Sequence, residues 1–215
     1  SYTFDGVLVG GEGEGLRRLY QQHLEPLVAR SFSGYSAAFL AMGQPGAGKS
    51  TCLGGVGAAS GGGEDAVIPF AMDSLLQRVQ EQRAGGGGEV SVRASLVAVV
   101  NENVLDALAP RAHASPRSLS PPPLGKVGVG ITVSEAGVVS LNNARQVEVR
   151  SKADVSTLLD QGAAFGEAAG FSRGGCSTAH WLLTVTMEQH GGGGGSASAL
   201  RSKLVFADLA GDDSR

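Results

Sequence analysis

The chain holds two cysteines, Cys52 and Cys176. So small a number, without metal-ligand spacing, excludes a disulfide framework and a zinc site. It fits a soluble protein of a reducing compartment. His23 and His190 stand isolated, with no second ligand at usable spacing. Net charge is only −3, which gives no support to a nucleic-acid surface and little to an acidic polymer as partner. No apolar run approaches the ~20 residues of a membrane span, and the first residues show no signal-peptide pattern. Membrane insertion and nucleic-acid binding are therefore not expected.

What is abundant is glycine. The apolar share, 42%, is that of an ordinary globular domain and argues against general disorder. The 34 glycines exceed average usage, and many fall in tracts at 61–63, 85–88 and 191–195. These tracts separate patterned segments and read as lengthened surface loops, whose closure entropy grows slowly with length.

Strand-like and helix-like patterns take turns along the rest, the grammar of an α/β domain. Tyr2 to Val7 reads as a short strand, and Leu16 to Ala29 as a helix with Leu16, Leu19, Leu24, Leu27 and Val28 on one side. Ala37 to Met42 is a compact apolar run suited to a buried strand at the sheet centre. Pro69 suits the first turn of a helix that continues through Met72, Leu75, Leu76 and Val79. Val90 to Val100 is the most strand-like stretch, and Arg111 to Pro123, rich in Pro, Ser and Arg, is a loop. Val127 to Val133 and Val138 to Val149 read as strands around a turn at Gly137. Ser151 and Asp154 signal a helix start, continued by Val155, Leu158 and Leu159. Trp181 to Glu188 and Lys203 to Asp208 read as an antiparallel pair joined by the last glycine tract, with Trp181 in the core.

Gly43-Gln44-Pro45-Gly46-Ala47-Gly48-Lys49-Ser50 satisfies G-x-x-x-x-G-K-[ST] between an apolar strand and a helix start. Glycines let backbone N–H groups curl toward phosphate oxygens, and the helix N-terminus adds partial positive charge there. Lys49 is expected to bridge the β- and γ-phosphates, and the Ser50 hydroxyl to ligate Mg²⁺. Downstream, an apolar strand ends in Asp208-Leu209-Ala210-Gly211. An aspartate there holds Mg²⁺ through water, and the Gly211 amide faces the γ-phosphate. Alone, D-x-x-G is a common turn; beside this loop it gains meaning.

With both ends of the site in hand, the chain resembles the kinesin motor domain over nearly its whole length. Tyr2-Thr3-Phe4-Asp5-Gly6-Val7 is similar to the family's F-x-F-D-x-V-F, and Gly34-Tyr35 with Ala41-Met42-Gly43-Gln44 to G-Y-N…A-Y-G-Q-T. Ile68-Pro69-Phe70-Ala71 resembles I-P-R-A, and Asn101-Glu102-Asn103-Val104-Leu105-Asp106 resembles Y-N-E-x-V-x-D-L-L. Arg173 to His180 lies where the first switch, N-x-x-S-S-R-S-H, is expected, and Asp208 to Gly211 matches the D-L-A-G of the second. The resemblance implies a three-layer P-loop NTPase sandwich with a mostly parallel central sheet. It implies ATP and Mg²⁺ as cofactors, hydrolysis coupled to movement on microtubules, and a place in the cytoplasm on the cytoskeleton. Ser177 matches the switch serine that ligates Mg²⁺, which with Asp208 and Gly211 makes up the catalytic set. Thr51 takes the place of the residue that often lies against adenine. Arg111 to Pro123 falls in a tubulin-contacting loop, with Arg111, His113 and Arg117 as contacts, or else is a solvated insertion.

Departures from the family pattern accompany the matches. Thr178 stands for the first switch's arginine and Cys176 for its first serine, while Asp213 stands for the second switch's glutamate. Thr178 and Asp213 form no salt bridge. Pro45 replaces a threonine of the phosphate loop and fixes one backbone angle. The resemblance also implies that the strand carrying R-x-R-P precedes residue 1 and that the relay helix, last strand and neck follow residue 215. Residues 1–215 then form one partial motor domain, incomplete at both ends. Two other readings stay open: a pseudo-motor that holds nucleotide or tubulin with little hydrolysis, and an unrelated P-loop enzyme such as a GTPase. The wide gap from Ser50 to Asp208 and the lack of N-K-x-D disfavour the second.

Overall fold

The computed structural model describes residues 3–4, 6–7, 13–55, 63–86, 88–109, 129–135, 137, 139–173, 176–190 and 199–211. The chain enters through helix α1 (Glu14–Leu19), a π-helical turn over Tyr20–Leu24 and helix α2 (Glu25–Ser31). The sequence predicts one continuous helix here; Pro26, at the start of α2, has no N–H for the ladder, and the wider turn precedes it. Strand β1 (Ala37–Ala41) leads into the glycine-rich loop 43–48 and the short helix α3 (Lys49–Leu53). Helix α4 (Val67–Ala84) buries Ile68, Met72, Leu75, Leu76 and Val79, the stripe expected from their spacing.

Strands β2 (Val90–Val100) and β3 (Asn103–Asp106) form a hairpin through the left-handed residues Asn101 and Glu102. Then come β4 (Gly130–Val133), β5 (Val139–Asn142) and β6 (Val147–Glu148), with left-handed Asn143 ending the run that the sequence reads as one strand. Helix α5 (Lys152–Ala168) starts on the capping box of Ser151 and Asp154. The two-residue strands β7 (Ser172–Arg173) and β8 (Cys176–Ser177) precede the long pair β9 (His180–Gln189) and β10 (Leu200–Asp208).

The large sheet runs β1-β10-β9-β2-β3, with β6 on β2. This corrects the expectation of a mostly parallel sheet: among the described residues β1–β10 is the one parallel pairing, and β9, β2, β3 and β6 pair antiparallel. The reason lies in the connections, since β9–β10 and β2–β3 join as hairpins and β9 returns along β2. Residues 3, 4, 6 and 7 take no strand conformation, contrary to the reading of Tyr2 to Val7. β1 also differs from expectation: among the described residues it is an edge, with Phe39 buried but Leu40 59% exposed. Arg111 to Pro123 and Asp213 lie outside the described residues.

One face of the sheet carries the core. Phe39 stacks on Phe206 with centroids 4.9 Å apart, and Leu183, Val185, Met187, Leu204 and Leu96 continue the layer under the helices. The opposite face carries a smaller cluster of Val97, Val104 and Val129. The β4–β5 hairpin reaches it, with Lys203 Nζ donating to the Val139 carbonyl at 3.3 Å. An ion pair between Lys152 and Asp73 ties the start of α5 to α4. Among the described residues no helix is long and apolar enough to cross a membrane.

Candidate phosphate-binding site

The parallel pairing of β1 with β10 puts Ala41 beside Asp208, and the Leu209 amide donates to the Ala41 carbonyl at 3.2 Å. Strand β1 therefore delivers the loop 43–50 to the same end of the sheet at which β10 delivers Asp208. Ser50, in the first turn of α3, donates from Oγ to Asp208 Oδ2 at 2.5 Å. The two residues are 158 positions apart in sequence, so the fold alone joins them.

The loop between is open and glycine-shaped. Gly46 and Gly48 have φ of 76° and 80°, and space is open around the position a Cβ would take at either. Those angles suit glycine and strain any residue with a side chain. Gln44 closes the turn by accepting from the Ala47 amide at 3.2 Å. Lys49 lies along the loop, its Nζ donating to the carbonyls of Gly43 at 3.0 Å and Gln44 at 2.9 Å. Thr51 is exposed on α3, on the outer side of the same turn.

Asp208 is 3% exposed, and burial raises its carboxyl pKa above the usual range; Ser50, Lys49 and His180 oppose the rise. The Asp208 carboxylate and the Ser50 hydroxyl offer two hard oxygens of the kind a divalent cation takes, and the Lys49 ammonium favours an anion beside them. The glycine cradle, the lysine and these two oxygens fit a magnesium-bound triphosphate.

The second switch region meets the loop directly. A Cβ built on Gly211 would lie 2.6 Å from the Pro45 Cδ, Cγ and N, so only glycine allows this approach. Upstream, the Ala210 amide donates to His180 Nδ1 at 3.1 Å, linking the D-x-x-G turn to the start of β9. Trp181, the next residue, pairs in register with Asp208.

Ser177 belongs to a neighbouring, separately organised turn. Its Oγ donates to the Ala179 carbonyl at 2.9 Å and accepts from the Ala179 amide at 3.2 Å and Trp181 Nε1 at 3.0 Å. Thr178 closes that turn, donating to the Phe171 carbonyl from its amide at 2.7 Å and from Oγ1 at 3.0 Å. The structure thus brings together the loop 43–50, Asp208 and Gly211, while Ser177 bonds to Ala179 and to Trp181 of β9. Sequence reading assigned Trp181 to the core only. Its polar role was signalled by the glycines four apart on α5, Gly162 and Gly166, which make room for a large side chain.

A family model for the kinesin motor domain matches residues 1–215. Kinesin-like protein KIN-4A of Oryza sativa subsp. japonica is 31% identical over 88% of this chain and 19% of its own length. Kinesin-like protein KIN-4C of Arabidopsis thaliana is 29% identical over 99% of this chain and 17% of its own. The chain thus spans about a fifth of the length of the curated relatives it matches. Among solved structures, that of a fast kinesin superposes with a TM-score of 0.71 at 22% identity, covering 91% of this chain and 50% of that one. The C-terminal motor domain of Kar3 from Candida glabrata gives 0.65 at 18% identity, over 92% and 55%. At these identities the superpositions show the fold, that of a P-loop NTPase.

Proposed function

The chain belongs to the kinesin motor domain family, and from that premise we propose that it is part of a microtubule motor that binds and hydrolyses Mg·ATP. On this reading residues 1–215 are one partial motor domain, working on the microtubule cytoskeleton in the cytoplasm, with tubulin as the partner. The observation that carries the reading is the convergence of Lys49, Ser50, Asp208 and Gly211 at one end of the sheet, from segments far apart in sequence.

The chemistry asked of these residues is electrostatic. Lys49 would leave the carbonyls of Gly43 and Gln44 and direct its ammonium to phosphate oxygens, and backbone amides of the glycine loop would donate to the same oxygens. When bound, Mg²⁺ neutralises charge building on the transferred phosphoryl group. Ser50, Ser177 and Asp208 would hold it, Asp208 through water. Gly211, free of a side chain, lets the second switch approach Pro45 and offers its amide where the terminal phosphate lies. Burial of Asp208 at the end of β10 keeps solvent from one side of the site.

The test is microtubule co-sedimentation and phosphate release by the full-length protein, with and without microtubules. Microtubule-stimulated turnover that depends on Lys49 is the expected result. Pelleting with microtubules but no turnover would replace the motor by a nucleotide-holding tubulin binder. Neither activity would overturn the function proposed.

A further inference from the structure

Trp181 is 1% exposed, yet its ring is not held by apolar packing alone. It lies against the notch of α5 left by Gly166, where a Cβ would come within 2.8 Å of its Cζ2 and 3.3 Å of its Cη2. Phe165 meets it edge-on, at 86° and 6.4 Å between centroids. The indole N–H then has a fixed direction, and it points at Ser177 Oγ at 3.0 Å.

A serine hydroxyl offers one donor and two acceptor sites. For Ser177 all three are filled, by the Ala179 carbonyl, the Ala179 amide and the Trp181 indole. A cation needs an oxygen lone pair aimed at it, so ligation by this hydroxyl must displace one of the two donors. The Ala179 amide is two residues away along the chain and moves with Ser177. The indole belongs to β9, and its ring is wedged against the Gly166 notch of α5, so it does not follow.

We propose that Trp181 is a positioning residue that competes with Mg²⁺ for the Ser177 hydroxyl, so that the first switch engages metal only when the serine leaves the indole. The proposal rests on the reading of loop 43–50 and Ser177 as a Mg·nucleotide site. It makes the α5 notch the support of the disengaged arrangement and sets a threshold of Mg²⁺ below which ATP binds with Ser177 still on the indole. A neutral N–H···O bond is worth a factor of about five in the equilibrium, which sizes the threshold.

The experiment uses the full-length protein with its tryptophans replaced by 5-fluorotryptophan, the Trp181 resonance being assigned by its loss in Trp181→Phe. A fluorescent ATP analogue reports binding independently. The Trp181 ¹⁹F resonance should stay in place with ATP and EDTA and shift when Mg²⁺ is added. Ser177→Ala should shift it in the nucleotide-free protein and abolish the Mg²⁺ response. Trp181→Phe keeps the ring and lacks the N–H, and should lower the Mg²⁺ concentration needed for analogue retention about fivefold. If that variant does not fold, the Ser177→Ala arm decides. Analogue binding with a Trp181 resonance indifferent to Mg²⁺ would overturn the competition and leave the nucleotide site standing. No analogue binding at all would overturn the site itself, and the proposal with it.

Discussion

Two glycines on one helix set opposing effects against each other. In the interior of α5, alanine gains about 1 kcal/mol over glycine from backbone propensity. A side chain forced into a packed core loses about 1–3 kcal/mol. At Gly166 the new Cβ meets Trp181 Cζ2 at 2.8 Å, and that ring is rigid, buried and hydrogen-bonded to Ser177. At Gly162 the nearest atom, 2.4 Å away, is the Leu96 Cδ2 methyl, the end of a side chain that can rotate. Gly166→Ala should therefore destabilise by about 1 kcal/mol net, while Gly162→Ala should lie near zero. Urea unfolding of the motor domain measures both. Trp181→Phe removes the atoms that the Gly166 Cβ would strike, so the cycle of Gly166→Ala with Trp181→Phe should show a favourable coupling of about 1 kcal/mol or more. A Gly166→Ala protein that gains the whole helix propensity, or a cycle with no coupling, would refute the claim that the ring is fixed in this notch.

Lys49→Ala should weaken ATP at least about tenfold in calorimetric titration, at the low end for a charged contact because Lys49 gives up two carbonyl bonds to make it; equal affinities would remove Lys49 from the site. Burial raises the Asp208 pKa, so its contribution to the free protein's stability is full below the ordinary carboxylate range and is lost as pH rises through the folded value. Asp208→Asn should flatten that acid-side gain in pH-dependent melting while weakening Mg²⁺-dependent ATP binding; an unchanged melting profile would contradict it. The native motor should hydrolyse ATP slowly even on microtubules, because Thr178 is neutral and bonded to the Phe171 carbonyl where the family has arginine. Thr178→Arg with Asp213→Glu should gain more together than singly in steady-state turnover, and a double variant no faster than its parent would rule the pair out.

The shape of the loop 43–50 was legible because it is local: glycines with special angles, a lysine and a hydroxyl follow one another along the chain. Helix α4 and the cap of α5 were legible for the same reason, since Pro69 and the Ser151–Asp154 box act within a turn or two. The direction of the sheet as a whole was not, because parallel and antiparallel partners present the same alternation of buried and exposed residues; the antiparallel pair β9–β10 was legible, since the two runs follow one another along the chain. Contacts between distant segments were the least readable. Neither Pro45 nor Gly211 announces the other, and the indole of Trp181 looked apolar until its N–H had a partner.

The pairing of β1 with β10 also has a meaning in time. Ser50 leaves the ribosome 158 residues ahead of the carboxylate it will bond. At roughly 5–20 residues per second, the strand before the phosphate loop waits about 10–30 s for its partner. Through that interval Phe39 has no strand to shield it, and closing so long a loop makes the final pairing slow as well. The junction of loop 43–50 with Asp208 is thus a late product of synthesis. The newborn chain passes through a stage with an apolar strand on offer, which is where a chaperone would act and where misassembly with a second nascent copy would begin.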